Sequence, residues 1–242
     1  MKQLWNKKSA LLWIGFALLV AMPFLIIYQR PPSVPQVDNT INPYPEPKDP
    51  AALHIQKASE HYFYREFEKA AENYRKAIAI YEERRDTHRV ATTYNSLGDL
   101  YVWAGETEEA HKNYLLAAEQ HAKIVDALGQ ADSLKKLASM YMKLENYPEA
   151  EEWYTQSLGL LTQSKPNRVL GSVHEGMGHL YWKSDRLPQA LASFTQARDT
   201  FAALNYHLGV KHMTGVIDRL KRAQNHLPEP PVFQEPMSPP AY

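Results

Sequence analysis

The chain contains no cysteine among its 242 residues. Disulfides, thiolate metal sites, cysteine nucleophiles and acylation at a cysteine are therefore excluded. It has no excess of charge either: 27 Lys and Arg balance 27 Asp and Glu. That balance leaves no electrostatic footprint for nucleic acid or an anionic membrane surface. No N-x-S/T sequon occurs, since Asn39, Asn95 and Asn113 all fail at the third position. No Walker loop, G-x-G-x-x-G or nucleophile elbow is present, so the sequence points to no enzyme and no cofactor. Proline is scarce in the middle: of 17, seven lie at 31–50, six at 228–240 and four elsewhere. The chain thus reads as a folded middle between two proline-rich flanks, and the middle is long enough to bury one sizeable core.

What is there begins with an apolar run. Residues 10–28 are 19 in number and carry no formal charge. At about 1.5 Å per residue they span about one hydrocarbon core. Trp5, Trp13 and Tyr28 suit the interface, and a single Pro23 is tolerated in such a helix. Lys2, Lys7 and Lys8 precede the run and only Arg30 closely follows. The positive-inside rule then places residues 1–9 in the cytoplasm and the rest across the membrane. A cleaved signal peptide is the alternative. The length of the run and the lack of an A-x-A site after it favour an uncleaved anchor in contact with the lipid bilayer. The missing sequons and cysteines favour a bacterial inner membrane and a periplasmic domain. Residues 29–50, with seven prolines, form an extended linker.

The middle repeats every 40 residues. Ala70, Ala110, Ala150 and Ala190 form one column; Tyr74, Tyr114, Tyr154 and Phe194 a second. His61, Tyr101, Tyr141 and Tyr181 form a third, and Ala58, Gly98, Ala138 and Gly178 a fourth. Ala77, Ala117, Ser157 and Ala197 complete the set. Small residues let two helix backbones approach, and the aromatics fill the space beside them, with Tyr114 expected to pack toward the following repeat. Leu97, Leu100, Tyr101 and Ala104 mark one helical face. Gly105 suits the left-handed position after a helix, and Pro148 and Pro188 suit helix position N1. Each unit is therefore a helix, a tight turn and an antiparallel helix.

The string Tyr94, Asn95, Ser96, Leu97, Gly98, Asp99, Leu100, Tyr101, followed by Gly105, Ala110, Tyr114 and Ala117, resembles the tetratricopeptide repeat family. Its period of 40 in place of the family's 34 resembles kinesin light chains, GoLoco-binding polarity scaffolds and bacterial Rap regulators. The resemblance implies an all-α, right-handed helical-hairpin solenoid of about four repeats: 51–85, 86–125, 126–165 and 166–205. A capping helix at 206–226 and a proline-rich tail at 227–242 follow. The first repeat departs most, with His61 for Tyr and Arg65 for Gly, as a terminal repeat often does.

The resemblance also implies a groove lined by the first helix of each unit. In the second unit its residues are Thr92, Asn95, Asp99, Val102 and Trp103; in the third, Asp132, Lys135, Ser139, Met142 and Lys143. In the fourth they are Ser172, Glu175, His179, Trp182 and Lys183, and in the first, Ala52, Ile55, Ser59, Tyr62 and Phe63. Asn95 offers a donor and an acceptor that together suit an extended peptide backbone. Trp103 and Trp182 suit aromatic anchoring. Lys135 and Lys143 suit an acidic group, but Asp99, Asp132 and Glu175 interrupt any dense basic clamp. His174 and His179 are five apart, so they stand about 140° apart around a helix and make no metal pair. The tail reads either as a disordered end or as a polyproline-type ligand anchored by Phe233 or Tyr242.

The expectation is a non-catalytic, membrane-anchored scaffold or assembly factor for protein partners, with no nucleic acid or metal involved. A periplasmic holdase or secretion accessory, and a self-assembling envelope subunit, are the alternatives.

Overall fold

The computed structural model describes residues 47–225. The expected anchor at 10–28, most of the linker and the tail lie outside the described residues. Within them no helix is long and apolar enough to cross a membrane. Nine helices follow one another and no strand occurs among the described residues. They are α1 (Pro50–Phe63), α2 (Phe67–Glu83), α3 (Thr87–Ala104), α4 (Thr107–Lys123), α5 (Ala127–Lys143), α6 (Tyr147–Leu160), α7 (Arg168–Lys183), α8 (Leu187–Ala203) and α9 (His207–Gln224). Each odd helix pairs with the even helix after it, and the hairpins stack in order as a tetratricopeptide-like solenoid.

The small-residue columns explain the pairing. A Cβ placed on Gly98 would stand 2.6 Å from the Tyr114 ring, and one on Gly178 would stand 2.7 Å from the Phe194 ring. The even-helix aromatic therefore lies over a bare stretch of odd-helix backbone in its own hairpin. Its hydroxyl also donates to Asp99 Oδ1 at 2.7 Å within the hairpin, and the ring shares a core cluster with Leu137 and Met140 of the following repeat, the side toward which it was expected to pack. The alanine column at 70, 110, 150 and 190 is wholly buried. Each fully enclosed aromatic or aliphatic side chain stabilises the stack by about 1.5–3 kcal/mol of transfer free energy.

The turns share one backbone device. Arg65, Arg85, Gly105, Val125, Glu145, Asp185 and Asn205 all have positive φ, between 55° and 81°. After each, the next amide bonds a carbonyl five residues back: Asp86 N to Tyr81 O and Asp126 N to His121 O, each at 2.9 Å, are examples. This is the Schellman closure of a helix end. Turns within a hairpin and turns between hairpins thus have the same form, and their positive-φ residues fall 20 residues apart.

Position 165 is the one gap in that series, and Pro166 explains it. Proline has no amide hydrogen to give to residue 161, and it disfavours helical conformations in the residue before it. Consequently α6 stops at Leu160, a loop follows, and Asn167 caps α7 by accepting from Leu170 N at 2.9 Å. Of the sequential helix pairs, α6 and α7 pack least closely. Pro148 and Pro188 sit at the second helical position, one later than expected, where an amide hydrogen is equally dispensable.

Candidate functional site

The odd helices carry three hollows that merge into a trough. The first, of about 460 Å³, is lined by Tyr62, Ser96, Asp99, Val102, Trp103, Lys136, Ser139 and Lys143 over a floor that includes Tyr74 and Tyr114. The second, of about 330 Å³, is lined by Lys135, Ser139, Met142, Tyr154, Ser172, Glu175, Gly176 and His179. The third, of about 250 Å³, adds Arg168, Tyr206, Leu208 and His212 to Ser172 and Glu175. Ser139 belongs to the first two, and Ser172 and Glu175 to the last two, so the hollows are continuous along the stack. A separate hollow of about 640 Å³, between α2, α3 and α4, shares no residue with this trough.

The repeat builds the trough from within. The even-helix aromatic of each hairpin reaches one odd-helix column: Tyr114 bonds Asp99, Tyr154 bonds Ser139 at 3.0 Å, and Phe194 meets the His179 ring edge-on at 4.9 Å. Asp99, Ser139 and His179 are thereby held in place by floor residues. Lys136 Nζ lies 2.6 Å from Asp99 Oδ2, which ties α5 to α3 across the trough. Lys135 pairs with Asp132 on its own helix.

Trp103 stands up from this floor, 60 % exposed. The Tyr62 ring meets it edge-on, with centroids 6.4 Å apart, and Lys143 Nζ lies over its face at 5.7 Å. Lys143 and Lys183 form no ion pair among the described residues. Trp182 stands at the rim near His179, with ring centroids 6.3 Å apart.

Burial sets the protonation in the second and third hollows. It pushes the Glu175 carboxyl up, against the pull of His212. It pulls the His179 imidazole down, and His212 and Lys183 add to that. Burial alone depresses His174, whose Nδ1 is enclosed without a hydrogen-bond partner. Burial foremost, and then the Asp99 charge, raise the Tyr114 phenol, so it stays a proton donor to that carboxylate.

Of the residues expected in the groove, Asp99, Trp103, Lys135, Ser139, Met142, Lys143, Glu175 and His179 line the trough. Thr92 is exposed outside these hollows and bonds the Arg89 carbonyl. Asn95 is the correction. It is buried, and its Nδ2 donates to Ser133 Oγ on α5 at 2.9 Å. Its amide ties one repeat to the next and does not face the trough, because α3 turns this position toward α5. The sequence reading also missed Lys136 and His212. The register of Lys136 beside Lys135 was visible, but its tie to Asp99 depends on how far apart two helices stand.

The sequence model of the tetratricopeptide repeat family matches residues 129–203. That of the soluble NSF attachment protein family matches residues 42–165, just over half of the chain. No curated protein matches the chain significantly. Among solved structures, apo RapI is similar at 16 % identity over 73 % of this chain and 49 % of its own, with a TM-score of 0.62. Aspartyl phosphate phosphatase F from Bacillus subtilis is similar at 14 % identity over 73 % and 46 %, with a TM-score of 0.63. BtubC (BKLC) from P. vanneervenii is similar at 20 % identity over 76 % and 86 %, with a TM-score of 0.54. The chain spans about half the length of the first two. At these identities the likeness is one of fold.

Proposed function

The chain belongs to the tetratricopeptide-repeat class, and over residues 42–165 to the soluble NSF attachment protein family within it; on that premise we infer that it works without catalysis, as a scaffold or assembly factor that holds a peptide or partner helix in the trough. The observation that carries this reading is the continuity of three hollows beneath an exposed Trp103, on a floor already fixed by Tyr114 and Tyr154. A rigid floor lowers the ordering cost of binding, and an exposed tryptophan is a usual centre of interface energy. Residues 10–28 tether the solenoid to a bilayer, most simply a bacterial inner membrane with the solenoid on the periplasmic side. Tethering raises the concentration of the trough around membrane-bound partners. The partner's chemistry is mixed: an apolar anchor for Trp103 and Met142, and hydrogen-bonding groups for Ser139 and Ser172.

The test is recovery of the full-length chain in mild detergent, with mass spectrometry of what accompanies it. One stoichiometric membrane complex, retained by wild type and weakened roughly 30-fold in Trp103→Ala, is the expected result. An unchanged complex in a folded Trp103→Ala chain would remove the trough from this role.

A further inference from the structure

The hollow of about 640 Å³ between α2, α3 and α4 belongs to the opposite side of α3 from the trough. At about 100° per residue, Tyr94, Leu97 and Tyr101 share one face of that helix, and Ser96, Asp99 and Trp103 share the other. We propose that this hollow is a second docking site, which takes a tryptophan from a partner protein's helix together with a Lys or Arg one turn away on that helix. The site stands independently of the trough.

The repeat itself shows which group fits. Tyr141 of α5 faces α4 and α6 as Tyr101 of α3 faces α2 and α4, 40 residues earlier. In the later space Trp153 of α6 meets His111 of α4, with ring centroids 6.0 Å apart. His111 Nδ1 lies 2.9 Å from the Tyr141 hydroxyl, and Trp153 packs against the core on both sides. Forty residues earlier the same two positions are Asn113 and Ala71. Two rings give way to an amide and a methyl, and the space over Leu97 and Tyr101 stays open. Leu97 and Tyr101 occupy the columns of Leu137 and Tyr141, which share their cluster with Trp153. An indole entering from outside therefore meets the kind of floor on which Trp153 already rests. Large aromatics in pockets are usual anchors of interfaces, and an amphipathic helix is a common way to present one to a groove.

Charge selects the rest of the partner. Helix α4 turns Glu109, Lys112, Asn113 and Leu116 to the hollow, at the spacing of one helical face. Glu106 lies at the start of the same helix. Glu106, Glu109 and Lys112 form no ion pair among the described residues. Arg75 is spent on the Tyr101 hydroxyl, to which it donates. Burial foremost raises the Tyr101 phenol; the Arg75 charge opposes that, and the Glu109 and Glu106 charges add to it. Both carboxylates thus lie toward the Tyr101 end of the hollow, where a partner's cation would pair with them. Lys112, at the mouth, is placed to lie over the face of an inserted ring.

The test uses a stapled helical peptide with one tryptophan, an arginine four residues away, and alanine and glutamine elsewhere. It is added to the full-length chain in mild detergent, with the leucine and methionine methyls labelled for magnetic resonance. Saturable shifts of the Leu97 and Leu116 methyls are expected, with Met142 in the trough unmoved. Affinity should fall roughly tenfold or more when the peptide's tryptophan becomes alanine or its arginine becomes glutamate. The same loss is expected in Asn113→Trp, which places an indole in the hollow from within. Glu106→Lys should also weaken binding; that side chain is exposed and makes no capping bond, so the fold does not depend on it. Absence of saturable shifts at Leu97 and Leu116 would overturn the proposal. So would equal binding by the alanine or glutamate peptide, or unchanged binding by Glu106→Lys. Trp103→Ala should bind the peptide as wild type does, so the failure of either site leaves the other standing.

Discussion

Phe194 is enclosed completely, with its ring against the backbone of Gly178 on one side and His179 on another. Phe194→Ala is expected to cost about 3–5 kcal/mol, read from urea unfolding. Asn95 makes a different case. Its Nδ2 bonds Ser133 while Oδ1 is enclosed without a partner. Asn95→Ala removes one hydrogen bond and one unsatisfied acceptor together, so the loss is about 1 kcal/mol. Partner affinity in the same variant should stay at the wild-type value; a tenfold loss would restore Asn95 to the binding surface. The depressed histidines set a pH window. His111, His174 and His179 have folded values below the ordinary 6.5, chiefly through burial. Below 6.5 the unfolded chain binds the extra protons, so their stabilisation is complete above that pH and is lost as pH falls through the folded values. The thermal midpoint should therefore drop between about pH 6.5 and 5, before the lowered carboxylates of Glu66 and Glu151 begin to protonate. His174→Gln should flatten that slope.

At the scale of helices and turns, the left-handed residue between helices is glycine only at 105. Val125 is the most strained of the others: β-branched, 89 % exposed and at φ 58°. Val125→Asn keeps the turn, tolerates the conformation and removes a steric cost of about 1–2 kcal/mol. The variant should unfold at a higher temperature than wild type, and a lower one would show that the turn is set by something other than backbone sterics. The same turns show where sequence reading succeeds and fails. The columns of alanine, glycine and tyrosine disclose the interior because packing demands fixed volumes at fixed spacing. The all-α repeat fold follows from them. The turn conformation was visible only at Gly105, since Arg65, Arg85 and Glu145 adopt it under the pull of the surrounding hydrogen bonds. In the trough, Asp99, Trp103 and Lys143 were legible once the repeat register was joined to the family resemblance, which implied a groove at those positions. The inward turn of Asn95 was not, because it depends on the separation of α3 and α5.

For the stack as a whole, Pro166 divides the hairpins into two groups. The α6–α7 contact is the loosest between successive helices, and Arg186 spans it by bonding Glu151 at 2.6 Å. Solenoid stability is a sum over neighbouring interfaces, so the weakest one opens first. Hydrogen exchange should show α7, α8 and α9 opening as a block at a lower free energy than α3, α4 and α5. Replacing Pro166 with Asp and Lys165 with Asn restores the turn chemistry found at 125–126 and 205–206, and should bring the two blocks closer together. Uniform exchange across the wild-type chain would show that the loop is no weaker than the turns.

The spacing of those turns has a consequence for descent. Because the closure at 85 or 125 is conformationally the same as that at 65 or 145, either kind of turn can serve as a seam. A duplicated or deleted block of forty residues would leave the turn at the junction with the same backbone closure and the alternation of odd and even helices intact. The backbone of the turns therefore sets no obstacle to gaining or losing whole hairpins, except at the seam that Pro166 has closed.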